Sequence, residues 1–219
     1  MDNVKDKFLE LLDFYPHSFS VNLKKTPYED FGNLVITNPV DKVHHIFLPP
    51  KEDIFRFELT ASLILLGEKH HLLATDYFTK HTQEYFYEFI EPFTKLVKTI
   101  RFGWAGKIAS QHSPDPDKLM AETLKRIEIE YLNELYRGNK RAAVEVLPFI
   151  AFAKGLDADW DFFNHEGLNK LLNELVGAKP NIENLLSFAK RFAKYTPCFC
   201  SFKTEMDKDR GFEVFDIYL

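Results

Sequence analysis

Three features of the sequence predict an α+β fold. Short runs that alternate apolar with polar residues lie near both ends of the chain. Residues 54–66, IFRFELTASLILL, are apolar almost all round a helical wheel, as befits a helix buried in a core. Several stretches after it repeat their apolar residues with helical period. The expected architecture is a small antiparallel sheet, made of N-terminal strands plus a C-terminal hairpin, packed against roughly six or seven helices. Because both ends are β-rich they should share one sheet. That favours a single domain over residues 1–219, with a subdivision allowed at a loop over 103–117.

Taken in order, residues 4–14 form an amphipathic helix through Val4, Phe8, Leu11 and Leu12, ended by Tyr15-Pro16. Strands follow at 18–23, 34–37 and 43–48. In the first, Phe19, Val21 and Leu23 alternate with Ser18, Ser20 and Asn22. Turn residues Asp30, Gly32 and Asn33, then Asn38, Pro39 and Asp41, suggest a meander closed by Pro49-Pro50. The central helix should stop at Gly67, a natural C′ residue. Thr75 or Asp76 can cap a further helix, which runs until Pro92 interrupts it, and Phe93, Leu96, Val97 and Ile100 mark a short continuation. Residues 103–117 combine glycines, prolines and small polar residues and read as a long, functional loop. Trp104, between Gly103 and Gly106, is its most conspicuous side chain.

In the second half, Leu124, Ile127, Tyr131 and Leu135 share one face of a long helix ending near Gly138. Residues 142–153 are apolar on most sides and should kink at Pro148, which removes a backbone donor. Helices over 166–176 and 182–194 are joined by Gly177-Ala178-Lys179-Pro180, with Asn164 placed to cap the first. Strands over 198–203 and 213–218 close the chain.

Composition narrows the function classes. Of 219 residues, 45% are hydrophobic and 28% charged, which fits a globular protein rather than a disordered one. The 22 Phe and 9 Tyr imply an aromatic core, and a surplus of rings can also line a ligand pocket. A net charge of −5 argues against nucleic acid as a partner. No apolar run is long enough to span a membrane, and the opening MDNVKDKFLELLDF lacks the order of a signal peptide. With only Cys198 and Cys200, too close on a strand for good disulfide geometry, a reduced, cytoplasmic protein is expected.

Glu58 is the chemical anomaly, since it falls on the same side of the central helix as Ile54, Ala61 and Leu65, with Ser62 one turn on. A charge there must be paired, hydrogen-bonded, or suppressed by a raised pKa. The structural reading is an ion pair or a bond to Ser62; the functional reading is a catalytic acid or metal ligand. Zinc peptidases place two histidines around a glutamate as H-E-x-x-H. The string Phe57-Glu58-Leu59-Thr60-Ala61 shares only the glutamate with that motif, so it cannot build that zinc site. A second cluster, His81, Glu84 and Glu88, shares a helix face that His70 and His71 could approach, and its donors suit zinc or iron. Tyr85 and Tyr87 on the same stretch join Trp104 as ligand- or partner-binding candidates.

Other patterns fail on their own terms. Asp157, Asp159 and Asp161 start like a calcium loop, but Phe162 and Leu168 stand where Gly and Glu are required. Two cysteines cannot supply a four-cysteine zinc site. Lys190, Arg191 and Lys194 end a helix hairpin, yet acidic neighbours deny it a basic face. No phosphate-binding glycine loop or nucleophile elbow is present. The expected function is therefore a non-catalytic binding or regulatory protein, using an aromatic pocket or a protein-interaction surface for a protein or small-molecule partner and needing no cofactor. The alternative is a hydrolase-like enzyme, metal-dependent or degenerate metallopeptidase-like, built on Glu58 and the nearby His and Glu residues.

Overall fold

The structure, a computed structural model, describes residues 2–25, 35–74, 91–138, 142–159, 161, 165–196, 201–208 and 212–218. It is α+β. Helix α1 (Asp2–Leu12) lays Phe8 edge-on against Phe57, with ring centroids 5.4 Å apart. Strands β1 (Ser20–Lys25), β2 (Val35–Asn38) and β3 (Val43–Leu48) follow. They do not form a meander: the order is β1-β3-β2, with β3 antiparallel to β2 and parallel to β1. The β2–β3 turn was legible, because the Asn38 side chain accepts from the N–H groups of Val40 and Asp41 at 3.0 Å. What turn chemistry could not reveal is that β3, with buried His44 and Ile46, takes the central position and pairs on both edges.

Helix α2 (Ile54–Lys69) is capped by Asp53, whose carboxylate accepts from the Arg56 N–H at 2.9 Å. It runs through Gly67 rather than ending there. A Cβ at that position would collide with the Thr37 side chain of β2, so this glycine allows close helix–sheet approach. A 3-10 turn, His71–Leu73, follows.

The expected loop over 103–117 is largely helix. Helix α3 (Glu91–His112) is continuous, and only Ser113, Pro114 and Asp115 connect it to α4 (Pro116–Tyr136). Asp115 caps α4 by accepting from Lys118 N–H at 3.1 Å, and Pro116 occupies the first turn. The glycines that suggested a loop mark a close crossing instead. A Cβ on Gly106 would lie 3.0 Å from the Gly155 Cα, and one on Gly155 would lie 2.7 Å from the Gly106 Cα. Gly103 likewise leaves room for Leu175, whose Cδ2 a Cβ would meet at 2.8 Å.

The apolar stretch expected as one kinked helix is two: α5 (Ala142–Glu145) and α6 (Leu147–Gly155), with Pro148 in the first turn of α6, where its missing donor costs nothing. Helices α7 (Glu166–Gly177) and α8 (Ile182–Phe192) are capped by His165 and Asn181, which accept from Leu168 N–H at 3.3 Å and Asn184 N–H at 2.8 Å. Strands β4 (Ser201–Asp207) and β5 (Phe212–Tyr218) pair antiparallel. Among the described residues they form their own two-stranded sheet rather than extending the first. Phe93 ties this hairpin to α3, with ring centroids 4.7 Å from Phe202 and 5.0 Å from Phe215. Buried side chains from α1 to β5 form one hydrophobic cluster.

The crossing can be tested by adding one methyl group. Gly106→Ala should improve helix propensity yet lose about 1–3 kcal/mol of stability, because the methyl overpacks the contact with α6. Urea unfolding checks it; a neutral or stabilised variant would contradict the crossing.

Candidate functional site

Glu58 is 3% exposed and has no cationic partner among the described residues. The Tyr15 hydroxyl donates to its Oε2, and the Ser113 hydroxyl donates to its Oε1 at 2.7 Å. The expected ion pair is replaced by two neutral donors, brought from beyond the C-terminus of α1 and from the α3–α4 connection. Ser62, one turn along α2, faces the same phenol and pulls its pKa down somewhat, but its hydroxyl forms no hydrogen bond of full geometry. The His112 ring lies 5.6 Å from that of Tyr15.

Burial pushes the Glu58 carboxyl up; the Tyr15 and Ser113 donors oppose that, and the Asp115 charge reinforces it. Tyr15 is raised too, first by burial and then by the neighbouring carboxylate. Such a carboxyl gives up its proton less readily than a solvated glutamate does. Each carboxyl oxygen is held by one hydroxyl.

Two further polar clusters are built from partners that the sequence alone does not bring together. On the sheet, His44 Nδ1 is 3.0 Å from Thr37 Oγ1 and His44 Nε2 is 3.4 Å from Glu68 Oε1. A hydroxyl, an imidazole and a carboxylate in series resemble a nucleophilic relay. Here, however, the Thr37 hydroxyl is buried against Gly67, leaving no room for an electrophile. The series fastens β2 and β3 to α2. Burial alone would raise Glu68, but the N–H groups of Phe19 and Ser18, the Ser18 hydroxyl and His44 together bring its pKa below the usual range. His44 is lowered by burial, against the pull of Glu68.

Beyond α2, His70 and His71 stack with ring centroids 5.5 Å apart, and His70 Nε2 meets the Glu213 carboxylate of β5. Burial and the neighbouring His70 push His71 down to about 4, while the Glu213 backbone pulls the other way. Burial also lowers His70, opposed by the Glu213 charge. These histidines therefore join the C-terminal hairpin to the end of α2.

Trp104 lies in α3, is 1% exposed, and donates from Nε1 to the Leu175 carbonyl at 3.2 Å. It is a core residue, not the tip of a mobile loop. His81, Glu84, Glu88, Tyr85 and Tyr87 lie outside the described residues, so their convergence is not part of this picture. Among the described residues, no three His, Cys, Asp or Glu side chains are grouped to hold a metal ion. None of the described helices is long and apolar enough to cross a membrane.

Among the described residues, clefts open to the surface at two places. One of about 670 Å3 lies along α7 and is lined by Asp161, His165, Glu166, Lys170 and Asn173, among others. The other, of about 420 Å3, lies between the start of α2 and α4. There Arg126 donates to the Asp53 carboxylate at 2.6 Å and covers the Phe55 ring, its guanidinium carbon 5.9 Å from the ring centroid.

The most anomalous surface is α4 itself. Its fully buried residues are Leu119 and Thr123. The stripe read from periodicity (Leu124, Ile127, Tyr131 and Leu135) is only half-buried at its start and exposed at its end. Ile129, Leu132 and Tyr136 are exposed as well, Tyr136 at 87%. The available signal was an excess: this helix carries more large apolar residues than one buried side can take. No protein-family model matches the chain, nor does any curated protein or solved structure.

Buried Glu58 and half-buried Glu68 should respond oppositely to pH. Glu58 has a raised folded-state pKa, so its stabilising effect is full below the unfolded value and is lost as pH rises through the folded one. Glu68 has a lowered pKa, so its contribution is present above the unfolded value and lost as pH falls through the folded one. Relative to wild type, Glu58→Gln should gain stability as pH rises from about 4.5. Glu68→Gln should lose about 1–3 kcal/mol at neutral pH and recover in acid. Urea titrations across pH 4–8 read both, and parallel trends would contradict the assignment.

Proposed function

We propose that this protein is a non-catalytic binding protein acting through a protein-interaction surface, the exposed apolar side of α4. One observation carries the reading. Of the nine large hydrophobic side chains that are exposed among the described residues, five lie between positions 129 and 136. Scattered exposed apolar residues need no explanation, but a contiguous group on one helix marks a docking surface. Tyr131 and Tyr136 add large, rigid contact area, a property enriched at protein interfaces. The support for a protein partner over a small ligand is the chemistry of the surfaces: five large apolar side chains are exposed on the second half of α4, while the two clefts are lined largely by charged and polar groups, with Ile129 of α4 also lining the second. The low cysteine count supports a reducing, cytoplasmic setting.

A photo-crosslinking residue at position 132 tests the reading in the cells that make the protein. Irradiation should yield a discrete adduct, whereas the same residue at exposed Asn173, on the α7 cleft, should not. An adduct at 173 and none at 132 would move the interaction surface away from α4.

A further inference from the structure

The occupant of this surface can be specified from the pattern of charges within it. Taking α4 as a regular helix of about 3.6 residues per turn, Ala121, Leu124, Lys125, Glu128, Ile129, Leu132, Leu135 and Tyr136 fall within an arc of about 140°. All are exposed except half-buried Leu124, so the free face runs nearly the length of the helix. Its two central charges, Lys125 and Glu128, have opposite sign and form no ion pair with the described residues of their own chain.

We propose that α4 pairs with the α4 of a second copy of this chain, antiparallel about a two-fold axis at the level of residues 126–127. This rests on the reading of α4 as the interaction surface. A two-fold axis brings the same patch of both subunits together, so every contact occurs twice. At this level Lys125 faces Glu128 of the second copy, and Glu128 faces its Lys125. The same register sets Ala121 against Leu132 and Leu124 against Ile129, a small residue opposite a large one and two branched residues together. Tyr136 reaches Asp117, and Leu135 reaches the aliphatic stem of Lys118. A parallel, in-register pairing would set Lys125 against Lys125 and Glu128 against Glu128, so the charges select the antiparallel arrangement. Neither Leu132 nor Tyr136 has to leave the core to make these contacts.

Sedimentation velocity over a concentration series, with charge reversals, tests the register as well as the dimer. The wild-type chain should pass from monomer to dimer as concentration rises. Lys125→Glu and Glu128→Lys should each weaken dimerisation by about tenfold or more, because each reversal places like charges at two symmetry-related contacts. The double variant K125E/E128K should return to within about threefold of wild type, since the swapped charges again face their opposites. Both positions are exposed, so the monomer fold should be unaffected, with unchanged melting in dilute protein. A dimer indifferent to the single reversals, or a double variant as weak as the singles, overturns the register and with it the proposal. A chain that stays monomeric overturns the second copy as occupant. In that case an adduct at position 132 with a different protein would leave the α4 reading standing, and no adduct there would remove both.

Discussion

The crossing of α3 and α6 sets how the rest of this molecule is arranged. Gly106 and Gly155 let the two backbones approach until no side chain fits between them. Gly103 lets Leu175 of α7 settle on the same helix, while the Trp104 indole donates to the Leu175 carbonyl. Close approach of this kind forfeits the side-chain area that Leu or Phe would bury at the crossing. The gain is dense contact between helices that then serve as a platform. Phe93 at one end of α3 receives the β4–β5 hairpin, and Ser113 just past the other end reaches Glu58. A single helix thus links the C-terminal hairpin to the buried carboxyl of α2.

Three carboxyls, Glu58 buried and Glu68 and Glu213 half-buried, are satisfied in three different ways. Glu58 sits among hydroxyl donors, with its pKa raised. Glu68 gathers backbone N–H groups and a serine hydroxyl, and its pKa falls. Glu213 meets a histidine from the far end of α2. Each joins elements distant in sequence: the end of α1 to α2, the sheet to α2, and the hairpin to α2. A buried carboxyl left without such partners would cost several kcal/mol. Their distribution explains how a sheet and a hairpin that do not pair with one another among the described residues are both held to the same helix.

Much of this was legible in the sequence, and the failures share a cause. The burial of residues 54–66 and the anomaly of Glu58 followed from periodicity alone. The partners of Glu58 did not, since nothing in Tyr15 or Ser113 marks a hydroxyl that will meet a carboxyl many residues away. By sequence alone, Gly67, Gly103 and Gly106 point to stops and loops, which is what glycine does to its own backbone. Their role is what glycine does for a neighbouring chain, which depends on tertiary contacts and leaves no local signature. Pro148 was placed correctly as a disruption, but a helix start accommodates it better than a kink. On α4 the periodic stripe was real, yet periodicity reports amphipathicity and not which side meets the core. The exposed residues emerged only when the packing of α2 and α6 against the helix was known.

The fold therefore divides into a tightly crossed centre and one helix that carries apolar side chains beyond it, and the binding role proposed for the protein depends on that division. Amide hydrogen exchange in dilute protein reads it directly. Amides from Gly103 to Ala109 should exchange only through global unfolding, while those from Ile129 to Tyr136 should exchange faster by orders of magnitude, through local opening. Equal protection of the two segments in dilute protein would show that the second half of α4 is packed like the core, and would contradict the account.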